Sequence, residues 1–149
     1  DIAVLKQKQD NGADYIMTQL CWDMEQFKRW LDKIRKAGVT MPVDVGIMPI
    51  LDQAATINMA LSRNACVMPR ELCEIISRYW IFPNPFEKEP FDAAAEQKKA
   101  DFKKAGIEYT IKQIDEYRAL GINGIHLYAL NKWKDVTDII NASGIRTLV

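Results

Sequence analysis

Apolar residues recur along this chain with two alternating periods, and the alternation predicts its elements. Four short runs read as strands, at 15–19, 43–49, 65–69 and 124–131. Between them, apolar positions fall three and four apart. Met24, Phe27, Leu31 and Ile34 share one helical face, as do Leu72, Ile75, Ile76 and Tyr79. A first helix over 1–9 ends near Asn11-Gly12 and the second ends at Gly38, because glycine takes the left-handed C-cap that most residues resist. Asp23 and Asp52 stand where N-caps belong, and Pro69 where a first helical turn tolerates proline. Gly46 inside the second strand predicts close approach by another backbone or a ligand. A long helix is expected over 93–119, interrupted near Gly106, and a last one over 132–141. Residues 81–91 carry Pro83, Pro85 and Pro90 among Phe82, Phe86 and Phe91, which predicts a surface excursion that packs on something. The apolar tail over 145–149 should be tied down.

A strand followed by a helix, four times over, predicts parallel βα units whose functional groups sit at the C-terminal strand ends. Here those ends carry Gln19, Met48-Pro49, Met68-Pro69 and residues 128–131. Four units are half of a (β/α)₈ barrel, which usually takes about 250 residues, and this chain has 149. A smaller open α/β sheet, a half-barrel that pairs with something, and a piece of a longer protein all remain open. The last is favoured because the chain opens inside a helix, with Ile2, Val4 and Leu5 apolar and no initiating Met.

Charge narrows the function classes. Lysines and arginines (20) balance aspartates and glutamates (20), and the densest basic patch, Lys98, Lys99, Lys103 and Lys104, is interrupted by Asp101 and flanked by Glu96 and Glu108. That reads as a solvated helix face, so no nucleic-acid partner is expected. No apolar run approaches a membrane span and no secretory signal is visible. Cys21, Cys66 and Cys73 are odd in number and unevenly spaced, which argues against a disulfide framework and for a reducing, cytoplasmic setting. With His126 the single histidine, buried inert thiols are favoured over a metal site. No nucleophile with a base at readable spacing and no glycine-rich phosphate loop appears. Residue types alone predict a ligand-binding α/β surface.

Longer strings carry more. KQK at 6–8, GAD at 12–14 and TQ at 18–19 resemble a segment of the methylenetetrahydrofolate reductases; GIMP at 46–49 and GIHLYALN at 124–131 resemble two further strands of that family. Order and spacing match from Asp1 to about Lys132. The resemblance implies the second half, about four βα units, of a TIM (β/α)₈ barrel, as one domain over 1–149. It implies a flavoprotein that reduces 5,10-methylenetetrahydrofolate to 5-methyltetrahydrofolate through FAD, with NAD(P)H or a partner redox protein as electron donor.

By the same resemblance, Gln19 is expected on the folate pterin, a job that suits an amide's paired donor and acceptor. Tyr128 and Lys132 are expected near the folate. Many members carry arginine where Lys132 stands, and lysine keeps the charge but loses bidentate pairing. Lys8 and Asp1 are expected at the FAD. Met59 replaces an aromatic of many members, and Ala55 a folate-binding glutamine, with Gln53 close by as a further substrate candidate. The acidic catalytic group belongs to the family's N-terminal half, so the isolated chain is expected to be inactive. Its partners would be the folate, the other half-barrel or another subunit, and further copies in a homo-oligomer. His126, between apolar neighbours, reads as a core histidine. Alternatives are a non-catalytic half-barrel interaction module, a different barrel enzyme, and a non-folate member of the family.

Overall fold

The computed structural model describes residues 2–62, 66–81 and 93–145. Asp1, Ala65 of the expected third strand, most of the proline-rich excursion and the end of the apolar tail lie outside them. The elements run α1 (Ile2–Asp10), β1 (Ile16–Leu20), α2 (Met24–Lys36), β2 (Val43–Ile47), α3 (Gln53–Leu61), α4 (Arg70–Arg78), α5 (Ala93–Ala119), β3 (Gly124–Leu127) and α6 (Trp133–Ser143). The three strands form one parallel sheet in the order β1-β2-β3.

Local chemistry sets the boundaries. Gly12, at φ +91°, turns the chain from α1 into β1. Asp23 caps α2 by accepting from the Gln26 N–H at 2.9 Å, and Asp52 caps α3 by accepting from Ala55 at 2.8 Å. Beyond Leu127 the chain leaves the sheet through Leu130 and Asn131, both in the left-handed region at φ 44° and 64°. The strand β3 is therefore shorter than the run expected over 124–131.

Alternation along β2 decides where the core lies. Val43, Val45 and Ile47 are wholly buried and face a cluster built from Phe27 and Ile34 of α2, Ile114 and Tyr117 of α5, and Ile139 of α6. Each such aliphatic side chain contributes roughly 1.5–3 kcal/mol on leaving water. A second cluster sits beyond the strand ends, where Leu20, Trp22, Met48 and Ile50 meet Leu72 and Ile76 of α4 and Phe102 and Tyr109 of α5.

Two expectations are corrected. Residues 66–69 form no strand. Val45 of β2 pairs directly with Ile125 of β3, so no strand stands between them. Val67 is 52 % exposed, and Pro69 serves as the N-cap of α4. The described chain thus has three strands where about four βα units were expected. The long helix α5 is also unbroken at Gly106. That glycine lies against the Ile50 carbonyl, where any Cβ would collide. Thr110 reinforces the contact, its hydroxyl accepting from the Ile50 N–H at 3.1 Å and donating to the Gly106 carbonyl at 2.7 Å.

Among the described residues no helix covers the other face of the sheet, and only the Tyr128 ring shields it, at Gly46. Parallel sheets normally have both faces covered. Here Met17, Asp44, Gly124 and His126 are exposed or half-buried, Met17 at 53 %, while Gly46 is buried. His126 is exposed rather than a core residue, because its apolar neighbours Ile125 and Leu127 point to the opposite face.

Candidate functional site

The C-terminal strand ends bring two of the expected residues together. Along β1 the register slips: Met17 is paired with Asp44, yet Leu20 with Gly46, leaving one extra residue on β1. The Thr18 hydroxyl fills the break. It accepts from the Gly46 N–H at 3.2 Å and donates to the Gln19 carbonyl at 2.8 Å. Gln19 is left with its side chain exposed.

Tyr128 reaches it from the far side of the sheet. Its backbone N–H donates to the Ile47 carbonyl at 2.9 Å, just past the end of β3. Its ring then crosses β2, and the phenol donates to Gln19 Oε1 at 3.4 Å. Strands β1 and β3 are not neighbours, and Gly46 makes the crossing possible. A Cβ there would stand 2.8 Å from the Thr18 carbonyl oxygen and 3.0 Å from Tyr128 Cε2. The close approach expected at Gly46 is thus made by the backbone of β1 and the Tyr128 ring. His126 supports the ring edge-on, with centroids 4.8 Å apart and planes at 86°.

The remaining expected residues are placed differently. Lys132 is the N-cap residue of α6, one turn beyond Tyr128, exposed and without an ion-pair partner among the described residues. Gln53, expected as a substrate candidate, is engaged inside the chain. It is 1 % exposed; its Nε2 donates to the Ile76 and Tyr79 carbonyls at 2.9 and 3.1 Å, and its Oε1 accepts from the Ile81 N–H at 3.2 Å. An amide so engaged has little left to offer a ligand. Lys8 is exposed on the last turn of α1. The adjacent Gln9 accepts from the N–H groups of Thr40 and Met41, just before β2 begins, so Lys8 lies toward the opposite end of the sheet from Gln19. Asp1 lies outside the described residues. Met59 is half-buried against the second core cluster, and Ala55 is half-buried in the first turn of α3.

A separate cavity of about 160 Å³ lies between the β1–α2 loop and α5, with Trp22, Asp23, Tyr109, Lys112, Gln113 and Glu116 in its wall. None of the expected site residues lines it. Trp22 Nε1 and Gln113 Oε1 are buried without partners among the described residues. The rest of this region braces the loop: Gln113 Nε2 and the Tyr117 phenol both donate to the Cys21 carbonyl, at 3.0 and 2.8 Å. Burial pushes the Tyr109 and Tyr117 phenols well above the ordinary tyrosine range, so neither serves as an acid or base near neutrality. Burial likewise raises the Cys21 and Cys66 thiols. Cys73, expected to be buried, is exposed on α4.

Reasoning from sequence missed the role of Thr18, whose signal was its place beside Gln19 at a strand end. The structure contains no helix, among the described residues, long and apolar enough to cross a membrane.

Comparison with known proteins adds an independent line. The family model described as methylenetetrahydrofolate reductase matches residues 1–144. Methylenetetrahydrofolate reductase 1 of Schizosaccharomyces pombe is 28 % identical over 141 residues, covering 95 % of this chain and 21 % of the relative. Methylenetetrahydrofolate reductase (NADH) 1 of Arabidopsis thaliana is 32 % identical over 145 residues, covering 97 % and 22 %. The 5,10-methylenetetrahydrofolate reductase of Escherichia coli is 23 % identical over 146 residues, covering 98 % and 44 %. The chain thus spans about a fifth of the length of the first two relatives and under half of the third.

Proposed function

The chain belongs to the methylenetetrahydrofolate reductase family, and on that premise we propose that it is one wall of an enzyme reducing 5,10-methylenetetrahydrofolate to 5-methyltetrahydrofolate. The observation that carries this reading is the meeting of Gln19 and Tyr128 at the strand ends, two residues that come from opposite strands of the sheet. An exposed amide there offers N–H donors and a carbonyl acceptor to a pterin edge. Lys132, one turn further on, supplies a cation for the carboxylates that folates carry. Being a single ammonium, it attracts them without the fixed geometry of a guanidinium.

A sheet face that no helix covers among the described residues supports a barrel reading. In this account further parallel strands cover Met17, Asp44 and His126, and the three strands described form part of a TIM barrel. The catalytic acid comes from outside this chain. Gln19 and Lys132 bind and orient the substrate, and barrel closure excludes water from it.

FAD, when bound, would supply the hydride. The residues described do not by themselves form a flavin site. Lys8 is the one expected contact among them, and it stands alone toward the far end of the sheet. The electron donor is a nicotinamide or a partner redox protein. An odd number of unevenly spaced cysteines suits a reducing, cytoplasmic compartment.

The test is steady-state reduction of 5,10-methylenetetrahydrofolate with NADH or NADPH. The whole protein carrying this region should turn over, and the 149-residue chain alone should not. Turnover by the isolated chain would contradict the divided site. A whole protein that neither binds flavin nor reduces the folate would leave this sheet face to an interaction module.

A further inference from the structure

We infer that Tyr128 is a positioning residue that fixes which end of the Gln19 amide faces the ligand, and that Gly46 is the residue that lets it do so. This rests on the folate reading above and assigns a role within that same site. The two ends of a glutamine amide are nearly equal in size and opposite in hydrogen-bonding sense. On an exposed strand end, nothing else described holds this one: among the described residues, the Tyr128 phenol is the one partner of the Gln19 side chain. The phenol donates to Oε1, which leaves both N–H groups of Nε2 directed elsewhere. Gln19 therefore meets the ligand chiefly as a donor, against an acceptor atom on the pterin edge. The 3.4 Å separation is long for an O–H···O bond. Such contacts tighten when a ligand closes the site.

The rest of the arrangement exists to bring the phenol there. The Tyr128 backbone is pinned to Ile47 and the ring is supported edge-on by His126. The ring passes over the one position of β2 that lacks a side chain, and a Cβ at Gly46 would sit 3.0 Å from Cε2, tighter than ordinary packing allows. The Thr18 hydroxyl holds the Gln19 backbone in the β1 irregularity, so the amide cannot retreat from the phenol by sliding along the strand.

The experiment is a double-mutant cycle in the whole protein. It reads the dissociation constant for 5-methyltetrahydrofolate at equilibrium, with KM and kcat for 5,10-methylenetetrahydrofolate measured alongside. Tyr128→Phe, which keeps the ring and removes the hydroxyl, should weaken binding about threefold to tenfold, as expected for one lost hydrogen bond. KM should rise and kcat stay nearly constant. In a Gln19→Ala background the same substitution should have no further effect. Gln19→Glu, which can accept from the phenol but cannot donate to the ligand at neutral pH, should bind as poorly as Gln19→Ala. Gly46→Ala, which displaces the ring but keeps the phenol, should match Tyr128→Phe. Equal losses from Tyr128→Phe in both backgrounds would mean that the phenol touches the ligand itself, and the inference falls. It falls equally if Tyr128→Phe or Gly46→Ala binds like wild type. Wild-type protein that binds no folate at all would overturn the functional reading and this inference together, whereas loss confined to Gln19→Ala overturns the inference alone.

Discussion

The two faces of the sheet are built on opposite rules. On the helix-covered face every β2 side chain is apolar and inaccessible: Val43, Val45 and Ile47 are each at 0 % exposure. On the other face the same strand offers Asp44 and Gly46, with Met17 on one side and Gly124 and His126 on the other. The first face holds the fold together through area removed from water. The second lacks bulk where bulk would block: Gly46 admits the Tyr128 ring, and Gly124 lies under the Asp44 carboxylate, where a Cβ would collide. Core packing and the support of the Gln19–Tyr128 contact thus fall on alternate residues of β2, so they can be perturbed separately.

The largest effect should come from the covered face. Ile47→Ala removes a fully buried side chain between β2 and the helices, and should cost about 2–5 kcal/mol, read by urea unfolding. A loss near zero would mean the helices do not pack on this sheet. Next is Gly106→Ala, where a methyl group must enter space held by the Ile50 carbonyl. Overpacking of that kind should cost about 1–3 kcal/mol, against the roughly 0.5–1 kcal/mol gained by the same exchange in an unpacked helix. The change should appear as a lower melting temperature.

A third prediction sharpens the comparison through pH. The Tyr117 phenol is buried on the covered side, donates to the Cys21 carbonyl at 2.8 Å, and titrates above its unfolded value of about 10 because burial penalises the anion. Its contribution is fully present below pH 10 and declines as pH rises beyond that, since the unfolded state releases the proton first. Unfolding free energy should therefore fall above pH 10, and Tyr117→Phe should flatten that fall while lowering stability near neutrality. The smallest effect belongs to the exposed surface. Cys73 should alkylate with iodoacetamide before Cys21 and Cys66, which are half-buried and held as thiols by burial. Mass mapping of the first modified peptide checks this.

How much of this was legible in the sequence depended on whether the signal was local. Alternation marked β1, β2 and β3, and caps at Asp23 and Asp52 marked two helix starts, because capping and pleating are decided within a few residues. The run at 65–69 misled because a short apolar stretch has no period of its own to test; Val67 points to solvent and β2 has β3 as its partner instead. Gly106 suggested a break because helix propensity is local, while the packing that keeps α5 continuous comes from Ile50, far away in sequence. His126 was assigned to the core from its flanking residues, although in a strand those flanks face the other way. The candidate site divided in the same manner. Gln19 and Tyr128 came from strings at strand ends and meet in space, whereas Gln53 gave no local sign that α4 and the chain beyond it would engulf its amide.

The most direct measurement is of KM for 5,10-methylenetetrahydrofolate and melting temperature together, in the whole protein and its Gln19→Ala variant. The account predicts a rise in KM of about tenfold, the equivalent of one or two lost hydrogen bonds. The melting temperature should be nearly unchanged, because the Gln19 side chain is exposed. Unchanged kinetics, or an activity loss that merely follows a fall in melting temperature, would contradict the assignment of folate recognition to this face of the sheet.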